Sequence, residues 1–184
     1  MLSNQIATAL TKYYDWWTEQ STQQPYGFVF YSTSLLDYGG CKVFTEEGLE
    51  QVAEKYKKID YYSDKSIQEL KNDLRWSPCD SPNHMTNETI FSDVCDSLGE
   101  LSEKLYEMND DDLQQALSRA YEEVVQGILK FRTQRLPIER SEILVTMLWG
   151  DMASEEAIRF IRSCNEQVAA ERYIRELGLG TTNA

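Results

Sequence analysis

The stretch that gathers reactive side chains is Trp76-Ser77-Pro78-Cys79-Asp80-Ser81-Pro82-Asn83-His84, and it holds the chain's single histidine. A thiol and an imidazole are the parts of a thiolate nucleophile and its general base, so Cys79 and His84 are the catalytic candidates. Such pairs work by geometry, and an irregular stretch with two prolines leaves that geometry open. The competing reading is structural: a loop pinned by Trp76 and its prolines, with Cys79 simply buried or exposed.

Other chemistries lack their parts. One histidine and four scattered cysteines, at 41, 79, 95 and 164 with no CxxC pair, give no zinc-ligand spacing. Asp110-Asp111-Asp112 lacks the EF-hand order with its glycine at the sixth loop position, and it reads as a helix N-terminus, where the dipole favours anions. No phosphate-binding GxxxxGK[ST] and no GxSxG occurs, and Gly178-Leu179-Gly180 follows a helix where a dinucleotide loop would open one. No metal and no cofactor is therefore expected. Gly150-Asp151, after a buried strand, is a second candidate position, since strand carboxyl ends often carry ligands; a plain strand-to-helix turn is the favoured reading of it.

Aromatic residues supply a third kind of site. Tyr13, Tyr14, Trp16, Trp17, Tyr61 and Tyr62 cannot all share one helix face, and Tyr61-Tyr62 fall in a break between helices. An exposed aromatic patch suits a protein interface. The expected contacts are Trp76, Asp80, His84, Tyr61 and Tyr62.

The elements that must position these residues begin with Tyr26 to Thr45, read as two strands reversing at Gly39-Gly40. Val29 and Tyr31 lie on one face of the first strand, Phe28 and Phe30 on the other, so both faces need cover. The near-continuous apolar run at residues 143–149 reads as a buried third strand pairing with this hairpin. Helical periodicity fills the rest: residues 3–20 capped by Ser3; a helix capped by Thr45 with Leu49, Val52, Ala53, Tyr56 and Ile59 inward; a short one capped by Ser63. Then come Thr86 to Met108, with Gly99 suggesting close packing, a long helix capped by Asn109, one capped by Ser154, and one from about Asn165 to Leu177. The fold class is α+β: a small, mainly antiparallel sheet of about three strands, two from the early hairpin and one late, under six or seven helices. Residues 1–178 are expected as one domain and 179–184 as a frayed tail.

Charge bounds the partners. With 18 basic and 31 acidic residues the chain carries −13, which repels phosphate backbones and disfavours nucleic acid. The same charge favours association with a basic protein. No basic, apolar leader opens the chain and no apolar run approaches the ~18 residues of a membrane span. Unpaired cysteines then point to a cytoplasmic setting.

The order of these features, with Thr45-Glu46-Glu47-Gly48-Leu49 opening the second helix, Leu74-Arg75-Trp76-Ser77-Pro78, and the late strand before Gly150-Asp151, resembles a mainly bacterial family classed only as a domain of unknown function. Arg75-Trp76-Ser77-Pro78 is the most specific part. The resemblance implies no defined activity. Small acidic domains of this general kind serve as immunity proteins beside polymorphic toxins, which implies a protein-binding inhibitor of a basic toxin. The alternative is an enzyme using the 76–84 loop with Cys79 and His84.

Overall fold

The computed structural model describes residues 1–77, 79–80, 86–136, 142–150 and 152–176. Three strands form one sheet: β1 (Pro25–Tyr31), β2 (Gly40–Thr45) and β3 (Leu144–Leu148), in the order β2-β1-β3. Phe28 pairs with Val43 on one side and Val145 on the other, and Val29 with Lys42 and Thr146. The pairing of β1 with β2 is antiparallel and that of β1 with β3 parallel, so the sheet is mixed. A parallel neighbour needs a long crossover. Here it contains four helices: α2 (Glu46–Lys57), α3 (Ile67–Leu74), α4 (Ser92–Tyr106) and α5 (Asp110–Arg135). Helix α1 (Leu2–Gln20) precedes the sheet; α6 (Ser154–Cys164) and α7 (Gln167–Glu176) follow it.

Both sheet faces are covered. Phe28, Phe30, Cys41, Val43, Val145 and Met147 pack in one core with the Ile6, Leu10, Tyr13, Tyr14 and Trp17 face of α1 and with α4 and α5. Val29, Phe44, Leu144 and Leu148 pack in a second core with Trp76, Ile161 and Tyr173.

The reversal between β1 and β2 is not made by glycine conformation. Neither Gly39 nor Gly40 adopts a left-handed backbone; the buried Leu36 does, at φ 59°. Gly39 is needed for space, because a Cβ there would sit 2.6 Å from Phe30 Cζ.

Thr45 and Asn109 cap α2 and α5 as expected, accepting from Gly48 N at 3.0 Å and Asp112 N at 3.1 Å. Ser66, not Ser63, caps α3, because Glu69 completes a reciprocal capping box with it. Ser3 is not a cap: α1 starts one residue earlier, and Ser3 docks on α5 through Glu123 (3.0 Å) and Lys130 (3.1 Å). Ala153 takes the cap position of α6, without a side-chain bond, in place of Ser154. Ile59 lies past the end of α2 and is 43% exposed, so it is not part of the inner face.

Gly99 does not mark close packing either; a Cβ there meets nothing within 4 Å. Gly99→Ala therefore recovers helix propensity at no steric cost. It should stabilise the protein by about 1 kcal/mol, a rise of roughly 2–4 °C in Tm by calorimetry.

The outer edge of β3 is closed by one side chain. Asn165 Nδ2 donates to Val145 O (2.7 Å) and Ile161 O (2.9 Å), while its Oδ1 accepts from Val145 N (3.1 Å) and Arg132 Nη1 (2.9 Å).

Candidate functional site

The segment after α3 is built around a buried indole. Trp76 is 8% exposed and meets Tyr26, Phe44 and Tyr173 at ring distances of 5.1, 5.9 and 5.4 Å. Trp76 is thus part of the second core and is corrected from a surface contact to an anchor. Its large apolar area is worth more between the sheet and α7 than in water. Arg75 beside it stacks on Tyr26 (4.3 Å) and pairs with Glu46 (2.5 Å), while Tyr26 OH donates to Arg75 O (2.8 Å). The Arg-Trp pair is therefore fixed from four elements, β1, β2, α2 and α7.

From this anchor the chain turns through Ser77 to Asp80. Ser77 Oγ donates to Asp80 Oδ2 and Tyr56 OH to Asp80 Oδ1, both at 2.5 Å. The bond to Asp80 holds the Tyr56 phenol up at about 12. Tyr56 packs on Tyr62 at 5.1 Å, and Tyr62 on Tyr61 at 4.9 Å. Tyr61 itself is 85% exposed. Asp80, Tyr62 and Tyr61, expected as contacts from the sequence, are thus joined in one row through Tyr56 of α2, which sequence reasoning had placed only in a helix face. His84 lies outside the described residues, so the Cys79–His84 pairing has no geometry to report.

The other side of the turn meets the sheet. Cys79 is exposed, and its Sγ lies 3.7 Å from Tyr31 OH at the carboxyl end of β1. A Cβ at Gly150 would stand 3.5 Å from the same sulfur, so the two stretches singled out separately in the sequence adjoin here. Asp151 lies outside the described residues. Burial, with Cys79 and Tyr38 nearby, raises the Tyr31 phenol pKa well above its ordinary value. Tyr31 is therefore a proton donor at neutral pH and not a base for the thiol.

Lys42 is a buried charge beside the site that sequence reasoning missed. It is 1% exposed, on the same sheet face as Val29 and Tyr31, with Nζ 3.8 Å above the Tyr31 ring. Burial lowers its pKa to about 8, against the opposing fields of Cys79 and Asp80. The available signal was a charge inside a strand whose other residues, Cys41, Val43 and Phe44, are all apolar. The sign of the linkage follows. Between pH 8 and 10.5 the unfolded chain holds this proton more often than the folded one, so the group's contribution to stability rises with pH across that window. Lys42→Met should therefore raise Tm below pH 8, by roughly the 2–4 °C of a ~1 kcal/mol gain. The advantage over wild type should shrink toward pH 10.5 in paired melts.

Among the described residues no three His, Cys, Asp or Glu side chains converge to hold a metal ion, and Asp110 to Asp112 occupy the first turn of α5 beneath the Asn109 cap. Cys41, Cys79, Cys95 and Cys164 are free thiols, and no described helix is long and apolar enough to cross a membrane.

A family model described as a domain of unknown function (DUF4303) matches residues 2–165, and the chain belongs to that family. No curated protein and no solved structure matches it.

Proposed function

We propose that this member of the DUF4303 family is a cytoplasmic protein-binding module, an immunity-type inhibitor that covers the active site of a basic toxin. The observation that carries the reading is Tyr61. Its ring is 85% exposed, yet it is held in place by Tyr62, Tyr56 and the Asp80 turn. A large ring already fixed before binding loses little entropy on contact, which is the character of an interface hot spot. Asp60 and Asp64 flank it, and the net charge of −13 steers a basic partner toward the surface. Asp80 serves as the strut beneath the tyrosine row, and Trp76 as the anchor beneath Asp80.

The test is affinity capture of the tagged protein from its native cell at low and high salt. A stoichiometric basic partner, retained at low salt and lost at high salt, is the expected result. Tyr61→Ala should weaken that complex by about 30-fold, the ~2 kcal/mol of a hot-spot truncation.

The second reading, an enzyme with Cys79 as nucleophile and His84 as base, is favoured by one observation: an exposed thiol beside Tyr31 and Gly150, where two parallel strands end. It requires Cys79 to be alkylated far faster than an ordinary thiol. Under the inhibitor reading, alkylating Cys79 leaves capture of the partner unchanged.

A further inference from the structure

Where the chain enters β3, two arginines each hold one carbonyl. Arg132 of α5 donates from Nη1 to Ile143 O at 3.5 Å, and Arg172 of α7 from Nη2 to Glu142 O at 2.7 Å. The carbonyls are consecutive, so both guanidinium groups stand at one corner of the sheet. Tyr173 shares it, with the Arg172 guanidinium 4.5 Å over its ring. Burial pushes the Tyr173 phenol up to about 12, against the opposing fields of Arg172 and Arg132. The phenol is therefore protonated and a donor at neutral pH. The Arg172 guanidinium nears the phenol oxygen as well, but not in hydrogen-bonding geometry. Three buried donors here have no acceptor: Arg132 Nη2, Arg172 Nε and Tyr173 OH. Arg132 is 8% exposed and Tyr173 1%. Countercharge is also short. Glu176 faces Arg172 Nε at 3.7 Å and is shared with Arg75 at 4.0 Å. Arg132 is bonded only to neutral acceptors among the described residues, Ile143 O and Asn165 Oδ1. The nearby Cys164 thiol is pushed up to about 12 by burial and stays neutral. A buried charge left in this state is costly, and water would satisfy its N–H groups without answering the charge.

We propose that this corner binds a small monovalent anion of chloride size through Arg132 Nη2, Arg172 Nε and Tyr173 OH. The ligand class follows from the donors: two guanidinium edges and a phenol offer protons and positive charge, and no acceptor. The valence follows from the charges: with Glu176 set against one guanidinium, one positive charge is left over. The size follows from the packing. Tyr173 sits in the second core against Trp76, at 5.4 Å between rings, with Leu144 and Ile174 in the same cluster. Such close packing suits a single ion better than a phosphate or an organic acid. The ion joins the end of α5, the start of β3 and α7 through one centre, beside the clamp that Asn165 makes on Val145. Folding brings the three donors together, so the ion binds the native protein alone and stabilises it in proportion to its occupancy.

The probe is sodium chloride, exchanged at constant ionic strength against sodium gluconate, whose anion is too large for the corner. The full chain is followed by thermal unfolding and by the chlorine NMR linewidth. The expected result is a Tm that rises by roughly 2–4 °C as chloride replaces gluconate, along a curve that saturates. The chloride line should broaden with added protein, and bromide should reverse the broadening. Tyr173→Phe keeps the ring contacts and removes one donor. In gluconate it should melt no lower than wild type, because a buried unpaired hydroxyl is lost. It should bind chloride about tenfold more weakly, the effect of one hydrogen bond to a charged group. Arg172→Gln, at a partly exposed position, should weaken chloride binding at least as much. A Tm and a linewidth indifferent to chloride overturn the proposal. So does chloride binding that neither variant weakens, which places the ion elsewhere. A Tyr173→Phe protein that melts lower by the same amount in both salts overturns it too, because water then serves these donors.

Discussion

Asn165→Ala should remove about 3–5 kcal/mol of unfolding free energy, a third or more of what a domain of this size usually has. The reason lies at the edge of the sheet. β3 is the outermost strand beside β1, and Asn165 supplies both a donor and an acceptor to Val145, as another strand would. The same amide accepts from Arg132, which is 8% exposed, and donates to Ile161 O near the end of α6. Alanine leaves an N–H, two carbonyls and a guanidinium without these partners. Each buried group left unpaired costs about 1–3 kcal/mol, and a charged one more. Arg132 has little in reserve, since its Nη2 is already without a hydrogen bond and its other contact, to Ile143 O, is long at 3.5 Å. Asn165→Asp separates the contributions: it keeps the acceptors for Val145 N and Arg132 and loses both donors, so it should cost less than alanine. Urea unfolding of the three proteins measures this. A loss below 1 kcal/mol for alanine would mean that water already serves this edge.

Gly127→Ala should be destabilising by about 2 kcal/mol, although alanine gains roughly 1 kcal/mol of helix propensity over glycine. Helices α1 and α5 touch here at backbone distance. A Cβ on residue 127 would stand 2.8 Å from Ile6 Cβ and Cγ2 and 2.9 Å from Ser3 O. Two of these atoms cannot swing away, since one is backbone and one is a Cβ. The helices must separate, and α1 is held to α5 at both ends, by Ser3 with Glu123 and Lys130 and by Asp15 with Arg135 at 2.8 Å. Ile6→Ala in the same chain should relieve only part of the loss, because Ile6 Cβ and Ser3 O remain. The contrast with Gly99→Ala is the sharper check: the same substitution, in two helices, with opposite signs. If both stabilise, the close approach of α1 to α5 is wrong.

The elements were legible where periodicity and burial agree. The alternation of Phe28 and Phe30 against Val29 and Tyr31 foretold a strand covered on both faces, and the apolar run at 143–149 gave β3 within a residue at each end. Strand direction was not legible, because an apolar run carries no polarity. The pairing shows β3 parallel to β1, at the end of a connection that holds β2 and helices α2 to α5. Caps were ambiguous where two serines compete, and Glu69 decided for Ser66. The role of Gly39 was masked because glycine serves both turns and close approaches, and Phe30 settles which. For the site, Asp80 and the tyrosines could be named but not connected, since Tyr56 joins them from another element. Trp76 misled because an aromatic in an irregular stretch looks the same whether it faces water or core. Lys42 was overlooked because the partners that bury it come from β1, β3 and the turn after α3.

The measurement that bears most directly on function is capture from the native cell by three tagged proteins in parallel: wild type, Tyr61→Ala and Gly99→Ala. The account predicts that wild type and Gly99→Ala retain the same stoichiometric basic protein at low salt and release it at high salt, while Tyr61→Ala retains little at either. A partner held equally by all three, or indifferent to salt, would contradict the Tyr61 surface as the contact. Absence of any stoichiometric partner would contradict the binding function itself.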